Sequence, residues 1–212
     1  MSNLQPYFSN HDRASKFPWS IYHRPLLNSL ENFLKSFNSQ ESKNILVIGP
    51  GELQEISTLL HYGFIPSLLD IDERPLHILK TKYSDKIEAF YHVDENFNGY
   101  PTNKKFDAIY AKEVIEHIHD ASPFLAHLKN VLKPNGKIWL STPNYGFFML
   151  PLLENTFLEI VARLSGFSRK GIHPNKFNYT KLKETLLAGG FKDVEVEITP
   201  AKLALCATGT LP

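Results

Sequence analysis

Residues 45–51 read Ile-Leu-Val-Ile-Gly-Pro-Gly, an apolar run that ends in a Gly-x-Gly turn. Gly49 and Gly51 allow the backbone to turn tightly and to approach a ligand that a Cβ atom would push away. A helix that starts near Glu52 would present its first N–H groups to a carboxylate or phosphate. Asp70 follows about 20 residues after Gly49, the spacing at which a carboxylate holds the hydroxyls of a ribose. The pattern predicts a nucleoside ligand, although such a turn also occurs as a simple tight connection.

Composition favours a single domain whose partner is a small molecule. The chain has 212 residues with 42% hydrophobic content, enough to bury one core. The 23 basic and 22 acidic side chains nearly balance, which argues against nucleic acid as a partner. Cys206 is the one cysteine and excludes an internal disulfide, and residues 1–10 lack the apolar segment of a signal peptide. We therefore expect a cytoplasmic location.

Strand-like and helix-like stretches alternate along most of the chain, which predicts an α/β fold with a parallel sheet and helices on both faces. The expected strands are residues 44–48, 65–69, 87–91, 106–110, 137–141, 194–198 and 203–207. The expected helices are an amphipathic one through Leu27, Leu30, Leu34 and Phe37, then residues 52–62, residues 74–83, one capped by Ser122, and one capped by Thr180.

Four segments, residues 45–51, 68–76, 106–117 and 132–144, resemble the successive motifs of class I S-adenosylmethionine-dependent methyltransferases. The last two, FDAIYAKEVIEH and LKPNGKIWLSTPN, are more specific than the glycine turn and are most similar to the branch that contains ubiquinone-biosynthesis O-methyltransferases. The resemblance implies a Rossmann-like, seven-stranded, mostly parallel sheet whose last strand is antiparallel. It also implies an N-terminal helical lid at residues 1–40 and a methyltransferase domain at 41–212, with a substrate-cover insertion at about 145–178.

The same resemblance implies which residues hold each part of S-adenosylmethionine. The methionine part would lie against Gly49, Gly51, Ala111 and Lys112. Asp70 would hold the ribose hydroxyls. Ile71, Asp94 and Glu95 would lie at the adenine end of the site.

Two positions depart from the family pattern. Val47 stands where the family usually has an acid, and Leu53 stands where it usually has a third glycine. The missing acid removes a partner for the cofactor's ammonium group or for the surrounding loop, which Glu52, Gln54 or Glu113 could replace. Both departures favour, as an alternative, a non-catalytic module that binds the cofactor or regulates another protein.

Methyl transfer from a sulfonium is a direct displacement, so the protein must align the reactants and remove a proton from the nucleophile. Glu113, Glu116 and His117 would share one face of a turn beyond a strand's carboxyl end, where open α/β sheets bind ligands. By similarity to the ubiquinone branch and to small-RNA 2′-O-methyltransferases, Glu-x-x-Glu-His holds a divalent ion, and His173 falls where a distant histidine ligand would lie. The expected metal site is Glu113, Glu116, His117 and His173, with His117 and His173 as catalytic residues. A metal-free base at His117 and a structural role remain alternatives.

Two segments are expected to cover the acceptor. The aromatic-rich residues 17–25 resemble a lid over the cofactor, and residues 145–164 carry apolar side chains that favour an apolar acceptor: Phe147, Phe148, Leu152, Leu153 and Phe157. Residues 147–164 are interrupted by polar residues and do not predict a membrane span. An amphipathic helix that docks on a membrane surface is the alternative for this segment.

The expected function is S-adenosylmethionine-dependent methylation of a small, partly apolar molecule, with oxygen ahead of nitrogen as the acceptor atom. The alternative enzyme is a metal-dependent RNA 2′-O-methyltransferase, which the near-neutral charge disfavours because an RNA enzyme needs a basic groove. No exposed apolar stripe can be assigned from the sequence, so it indicates no oligomeric state.

Overall fold

The computed structural model describes residues 16–37, 41–51, 53–94, 99–101, 103–153, 156, 163 and 173–212. Within this part of the chain, the strands are β1 (Lys43–Ile48), β2 (Phe64–Asp70), β3 (Ala89–His92), β4 (Phe106–Lys112), β5 (Leu132–Pro143), β6 (Lys192–Ile198) and β7 (Ala204–Thr210). The helices are α1 (Ser20–Lys35), α2 (Ile56–His61), α3 (Glu73–Tyr83), α4 (Ala121–Val131), α5 (Met149–Leu153) and α6 (Tyr179–Ala188), with a 3-10 turn at Ile115–His117.

The strands form one sheet in the order β3-β2-β1-β4-β5-β7-β6. All pairs from β3 across to β5 are parallel, whereas β7 runs antiparallel to both β5 and β6. The expected fold class is therefore confirmed. Because the order reverses direction at β1 and β4, the carboxyl ends of these two strands define the crevice where open α/β sheets bind ligands.

Both faces of the sheet are buried, which explains why the central strands are continuously apolar. Successive residues of β1 point to opposite faces, so Leu46 and Ile48 pack beneath α4 and α6 while Ile45 and Val47 pack on the other side with α1 and α2. Val47 is completely buried in that second core. The position where the family usually has an acid is thus part of the apolar packing in this chain.

Helix α1 is anchored along the second face of the sheet. Its apolar stripe buries Leu26, Leu30 and Leu34, and the indole N–H of Trp139 in β5 donates to the hydroxyl of Ser29 over 3.2 Å. These contacts fix the helix so that its N-terminal end reaches the carboxyl edge of the sheet. None of the helices in the described residues combines the length and apolar character that a membrane crossing needs.

Two helix caps expected from the sequence are wrong. Helix α4 begins after Asp120, whose side chain accepts from the backbone N–H of Ser122 at 2.9 Å. Helix α6 begins after Asn178, whose side chain accepts from the N–H of Lys181 at 2.9 Å. Both capping residues have the extended backbone that is typical of an N-cap. Each helix therefore begins one residue before the cap that the sequence predicts, which is Ser122 for α4 and Thr180 for α6.

Candidate active site

The glycine turn after β1 has a left-handed backbone at three positions. Gly49, Gly51 and Leu53 have φ values of 62°, 51° and 47°. A Cβ atom on Gly49 would lie 2.7 Å from Cγ2 of Val114, so the missing side chain also lets the segment after β4 pack against the turn. Leu53 keeps the left-handed conformation expected of a glycine while its side chain, 1% exposed, fills the core. The departure at Leu53 therefore preserves the path of the backbone.

The expected ribose and adenine residues lie at the carboxyl ends of β2 and β3. Asp70 is the last residue of β2, and its Oδ1 accepts from the backbone N–H of Asp72 at 2.9 Å. Burial raises the pKa of Asp70, and that hydrogen bond opposes the shift. The side chain of Ile71 is 64% exposed beside it, as a residue that packs on adenine must be before the cofactor binds. Asp94 follows β3, whereas Glu95 lies outside the described residues.

Lys112, expected near the methionine part of the cofactor, forms an ion pair that sequence analysis missed. Its Nζ donates to Oε1 of Glu55 over 2.6 Å in a mostly buried environment. Glu55 is the N-cap residue of α2, so the pair joins the end of β4 to the helix that follows the glycine turn. Burial, followed by the charge of Glu55 and a hydrogen bond to it, raises the pKa of Tyr110 well above its usual value. A carboxylate therefore lies beside this strand although position 47 is apolar.

Glu113 directly follows β4 and has a left-handed backbone, with φ of 56°. Its Oε2 accepts from the hydroxyl of Tyr22 at 2.6 Å, and its Oε1 accepts from the hydroxyl of Ser141 at 3.0 Å. Burial and then the charge of Glu113 raise the pKa of Tyr22 well above its usual value. The Glu113 carboxylate thus connects α1, β4 and β5.

The other three residues of the expected metal site come together. Ligand atoms of Glu116, His117 and His173 all lie within 4.8 Å of one another. Among the described residues, Glu113 is not part of this group. The imidazole rings of His117 and His173 meet edge to face, with centroids 4.8 Å apart. Glu116 is fully buried, His173 is half-buried and His117 is exposed. The cluster therefore has a buried carboxyl group and an imidazole that faces solvent.

Asn175 explains why His173 lies beside the turn after β4. Its backbone N–H donates to the carbonyl of Glu116 at 3.1 Å. Its side-chain amide donates to the carbonyls of Ile118 and His119, the latter at 2.9 Å. Sequence analysis missed this residue because a loop asparagine has no periodic pattern to indicate its partners.

Tyr145, which contacts His173 of the cluster, is the second residue that sequence analysis missed. Its hydroxyl lies 2.5 Å from Nδ1 of His173, and its backbone N–H donates to the carbonyl of Phe177 at 2.8 Å. A signal was available, since Tyr145 follows the carboxyl end of the central strand β5, where ligand-binding groups are expected.

Comparison with known proteins agrees with this fold. A family model described as "Methyltransferase domain" matches residues 19–196. The chain belongs to this methyltransferase family. This agrees with the methyltransferase resemblance of the sequence motifs.

The curated relatives include ubiquinone biosynthesis O-methyltransferases. That of Pasteurella multocida is 30% identical over 121 residues, which are 50% of this chain and 49% of the relative. That of Hydrogenovibrio crunogenus is 24% identical over 151 residues, which are 69% of this chain and 63% of the relative. The chain thus spans about half of the first relative's length and 63% of the second's.

Solved structures share the fold at low sequence identity. The magnesium protoporphyrin IX methyltransferase of Synechocystis, with bound S-adenosylhomocysteine, has a TM-score of 0.65 at 15% identity, covering 93% of this chain and 88% of that one. A Haloferax volcanii methyltransferase, in complex with the Trm112 activator, has a TM-score of 0.71 at 12% identity, covering 100% and 99% of the two chains. These likenesses support the fold alone.

Proposed function

We propose that the protein transfers the methyl group of S-adenosylmethionine to a hydroxyl oxygen of a small, partly apolar acceptor. The observation that carries the proposal is the convergence of Glu116, His117 and His173 within 4.8 Å beyond the carboxyl end of β4. A hydroxyl is a poor nucleophile until its proton is removed, and imidazole is the side chain best suited to accept a proton near neutral pH. The curated relatives named as O-methyltransferases support oxygen as the acceptor atom.

The proton-transfer step uses the exposed imidazole of His117. As the acceptor oxygen forms its bond to the methyl carbon, the bond from carbon to sulfur breaks, and the sulfonium leaves as S-adenosylhomocysteine. The hydroxyl proton passes to a ring nitrogen of His117. The carboxyl group of Glu116, which is fully buried, lies beside this imidazole, and in its ionised form it would stabilise the imidazolium that forms.

The same cluster has a donor set that fits a divalent ion. One carboxylate and two imidazoles suit ions such as Mn²⁺ or Zn²⁺. Ligand atoms at about 2.0–2.2 Å from one ion are at most about 4.4 Å apart, so a group that spans up to 4.8 Å has to contract slightly to hold one. We propose Glu116, His117 and His173 as its ligands. A bound ion would lower the pKa of the acceptor hydroxyl.

Exposed aromatic side chains in the two segments expected to cover the acceptor favour a small, apolar acceptor. The side chain of Phe148, just before α5, is 77% exposed, and Phe17, just before α1, is 82% exposed. The near-neutral net charge of +1 gives no general attraction for nucleic acid. Most of the expected cover after α5, including Phe157, lies outside the described residues.

The test is a methyl-transfer assay of the full chain with panels of phenols, aliphatic alcohols and amines, followed by mass spectrometry of the product. O-methylated products are expected, and His117→Ala should lower the rate by about 10²–10⁴-fold. His119→Ala is the matched control, since it removes an exposed imidazole from the same loop. Methylation confined to amines, or an unchanged rate in His117→Ala, would contradict the proposal.

Chelation separates the two ways of removing the proton. If an ion takes part, EDTA should abolish activity, added Mn²⁺ should restore it, and Glu116→Ala and His173→Ala should be similarly damaging. If His117 acts alone, EDTA should have no effect and His173→Ala should be mild.

A further inference from the structure

The hydroxyl of Tyr145 and Nδ1 of His173 are separated by 2.5 Å, and the two rings meet edge to face with centroids 6.0 Å apart. From this contact we infer that Tyr145 is a positioning residue, which sets the orientation and the tautomer of His173 within the cluster of Glu116, His117 and His173. The inference rests on the proposed function, because it assigns His173 a task there.

Tyr145 is itself held firmly. Its backbone N–H donates to the carbonyl of Phe177 at 2.8 Å. The preceding residue, Asn144, donates from its backbone to Leu203 at 2.9 Å and from its side chain to the carbonyl of Lys202 at 2.9 Å. These bonds tie the segment to the loop before β7. The phenol is therefore presented from a fixed backbone, as a positioning group must be.

His173 lies on a segment that has its own anchor. Asn175 attaches that segment to the turn after β4 through the carbonyls of Glu116 and His119, at 3.1 and 2.9 Å. This anchor fixes the backbone near His173, and the imidazole ring also meets that of His117 edge to face. The contact with Tyr145 adds a hydrogen bond at one specific ring nitrogen, Nδ1.

The constraint has a chemical consequence, since the two nitrogens of imidazole have different roles. When Nδ1–H donates to the phenol oxygen, the lone pair is on Nε2. We assign that nitrogen to the ion or to the transferred proton. Histidines that bind metals almost always donate their other N–H to a fixed acceptor, and loss of that acceptor typically weakens metal binding about 10- to 100-fold. A neutral phenol does this without adding charge to a site that already contains Glu116.

The substitution Tyr145→Phe isolates the hydroxyl. It retains the ring, which also lies 5.5 Å from Nζ of Lys176, so packing is preserved. Tyr179→Phe is the matched control, because it removes the hydroxyl of an exposed tyrosine at the start of α6. Both variants are compared with the wild-type chain without cofactor or acceptor.

The first measurement is Mn²⁺ affinity by calorimetry. Tyr145→Phe should bind Mn²⁺ about 10- to 100-fold more weakly than wild type, and Tyr179→Phe should match wild type. The second measurement is the ¹⁵N chemical shifts of the His173 ring without metal. Wild type should show the tautomer with its proton on Nδ1, and Tyr145→Phe should lose it.

The two measurements separate this inference from the proposed metal site. If wild type binds Mn²⁺ and Tyr145→Phe binds it equally well with unchanged His173 shifts, the positioning role is overturned. If wild type binds no Mn²⁺, the metal site fails, but a changed His173 tautomer in Tyr145→Phe still supports the positioning role. Unchanged shifts in that case overturn it as well.

Discussion

The hydroxyl of Tyr22 donates a 2.6 Å hydrogen bond to Oε2 of Glu113, although the two residues are 91 positions apart. Tyr22 lies near the N-terminal end of α1, and Glu113 follows β4 with a left-handed backbone. A residue held in this conformation costs energy, and the surrounding contacts must stabilise it. The bond therefore links the N-terminal helix to the segment that carries the candidate catalytic residues.

Tyr22→Phe should destabilise the protein by about 1–3 kcal/mol, because Oε2 of Glu113 loses a charge-assisted hydrogen bond in a partly buried place. Urea unfolding at neutral pH measures the change. Tyr179→Phe, which removes an exposed hydroxyl, should leave the free energy of unfolding unchanged. Equal stability of the two variants would show that the bond adds nothing to the fold.

Asp70→Ala should weaken the binding of S-adenosylhomocysteine. Loss of a charge-assisted pair of hydrogen bonds to the ribose costs about 1.5–3 kcal/mol, or roughly ten- to a hundredfold in affinity. Isothermal titration calorimetry measures the effect, and Asp85→Ala provides a control at an exposed aspartate after α3. Unchanged affinity in Asp70→Ala would remove Asp70 from the ribose site.

The sequence predicts the sheet well because its strands are apolar on both faces and its helices have clear stripes. The sequence also predicts that Glu116 and His117 lie at the carboxyl edge of the sheet, since they fall in the turn after strand β4. It does not predict that Glu113 turns toward Tyr22 and Ser141, because that direction depends on a left-handed backbone at a non-glycine residue. The partners of His173 are equally hidden, since Asn175 and Tyr145 act through single hydrogen bonds between distant loops.

Stability should decrease in alkaline solution. Burial raises the pKa of Cys206 to about 12 and raises that of Tyr22 and Tyr110 well above normal. Each folded group holds its proton more tightly than the unfolded chain does, so its contribution is complete below the unfolded pKa and is lost as the pH rises toward the folded pKa. The slope is at most about 1.4 kcal/mol per pH unit for each group.

Urea unfolding from about pH 8 to about pH 10 tests this dependence. Cys206→Ala should flatten the slope, because the unfolded thiol is the first of these groups to ionise. A slope that is identical in the variant and the wild type would show that the buried thiol does not contribute.

Leu53→Gly sets backbone strain against packing. Glycine relieves a left-handed conformation that costs about 1–2 kcal/mol. Losing a leucine that is 1% exposed costs more, since even Leu→Ala in a core costs about 2–5 kcal/mol. The variant should therefore be less stable.

Lys202→Gly is the control, because Lys202 is exposed and also has a left-handed backbone, with φ of 59°. Glycine there has little packing to lose, so this variant should be as stable as wild type or slightly more stable. Thermal unfolding compares the two, and a stabilised Leu53→Gly would contradict the assigned packing role.

Comparison of Glu113→Gln with Glu116→Gln tests whether the two glutamates of the Glu-x-x-Glu-His motif have different roles, one structural and one in ion binding. Glu116 belongs to the group of converging ligand atoms, whereas the Glu113 oxygens accept from Tyr22 and Ser141. Glu116→Gln should weaken Mn²⁺ binding at least about 10-fold, because it removes the only charged ligand proposed for the ion. Glu113→Gln should keep the ion affinity while lowering the free energy of unfolding, since its amide replaces one accepting oxygen with a donor.

Calorimetry with Mn²⁺ measures the ion affinity of the two variants, and urea unfolding measures their free energies of unfolding. If wild type binds no ion, the rates of methyl transfer are compared instead of the affinities. An equal loss of ion affinity in both variants would restore the site of Glu113, Glu116, His117 and His173 that the sequence motif predicts. It would mean that Glu113 leaves Tyr22 when the ion binds. Separate effects would instead show that the first glutamate of the motif holds α1 in place, while the second serves the chemistry.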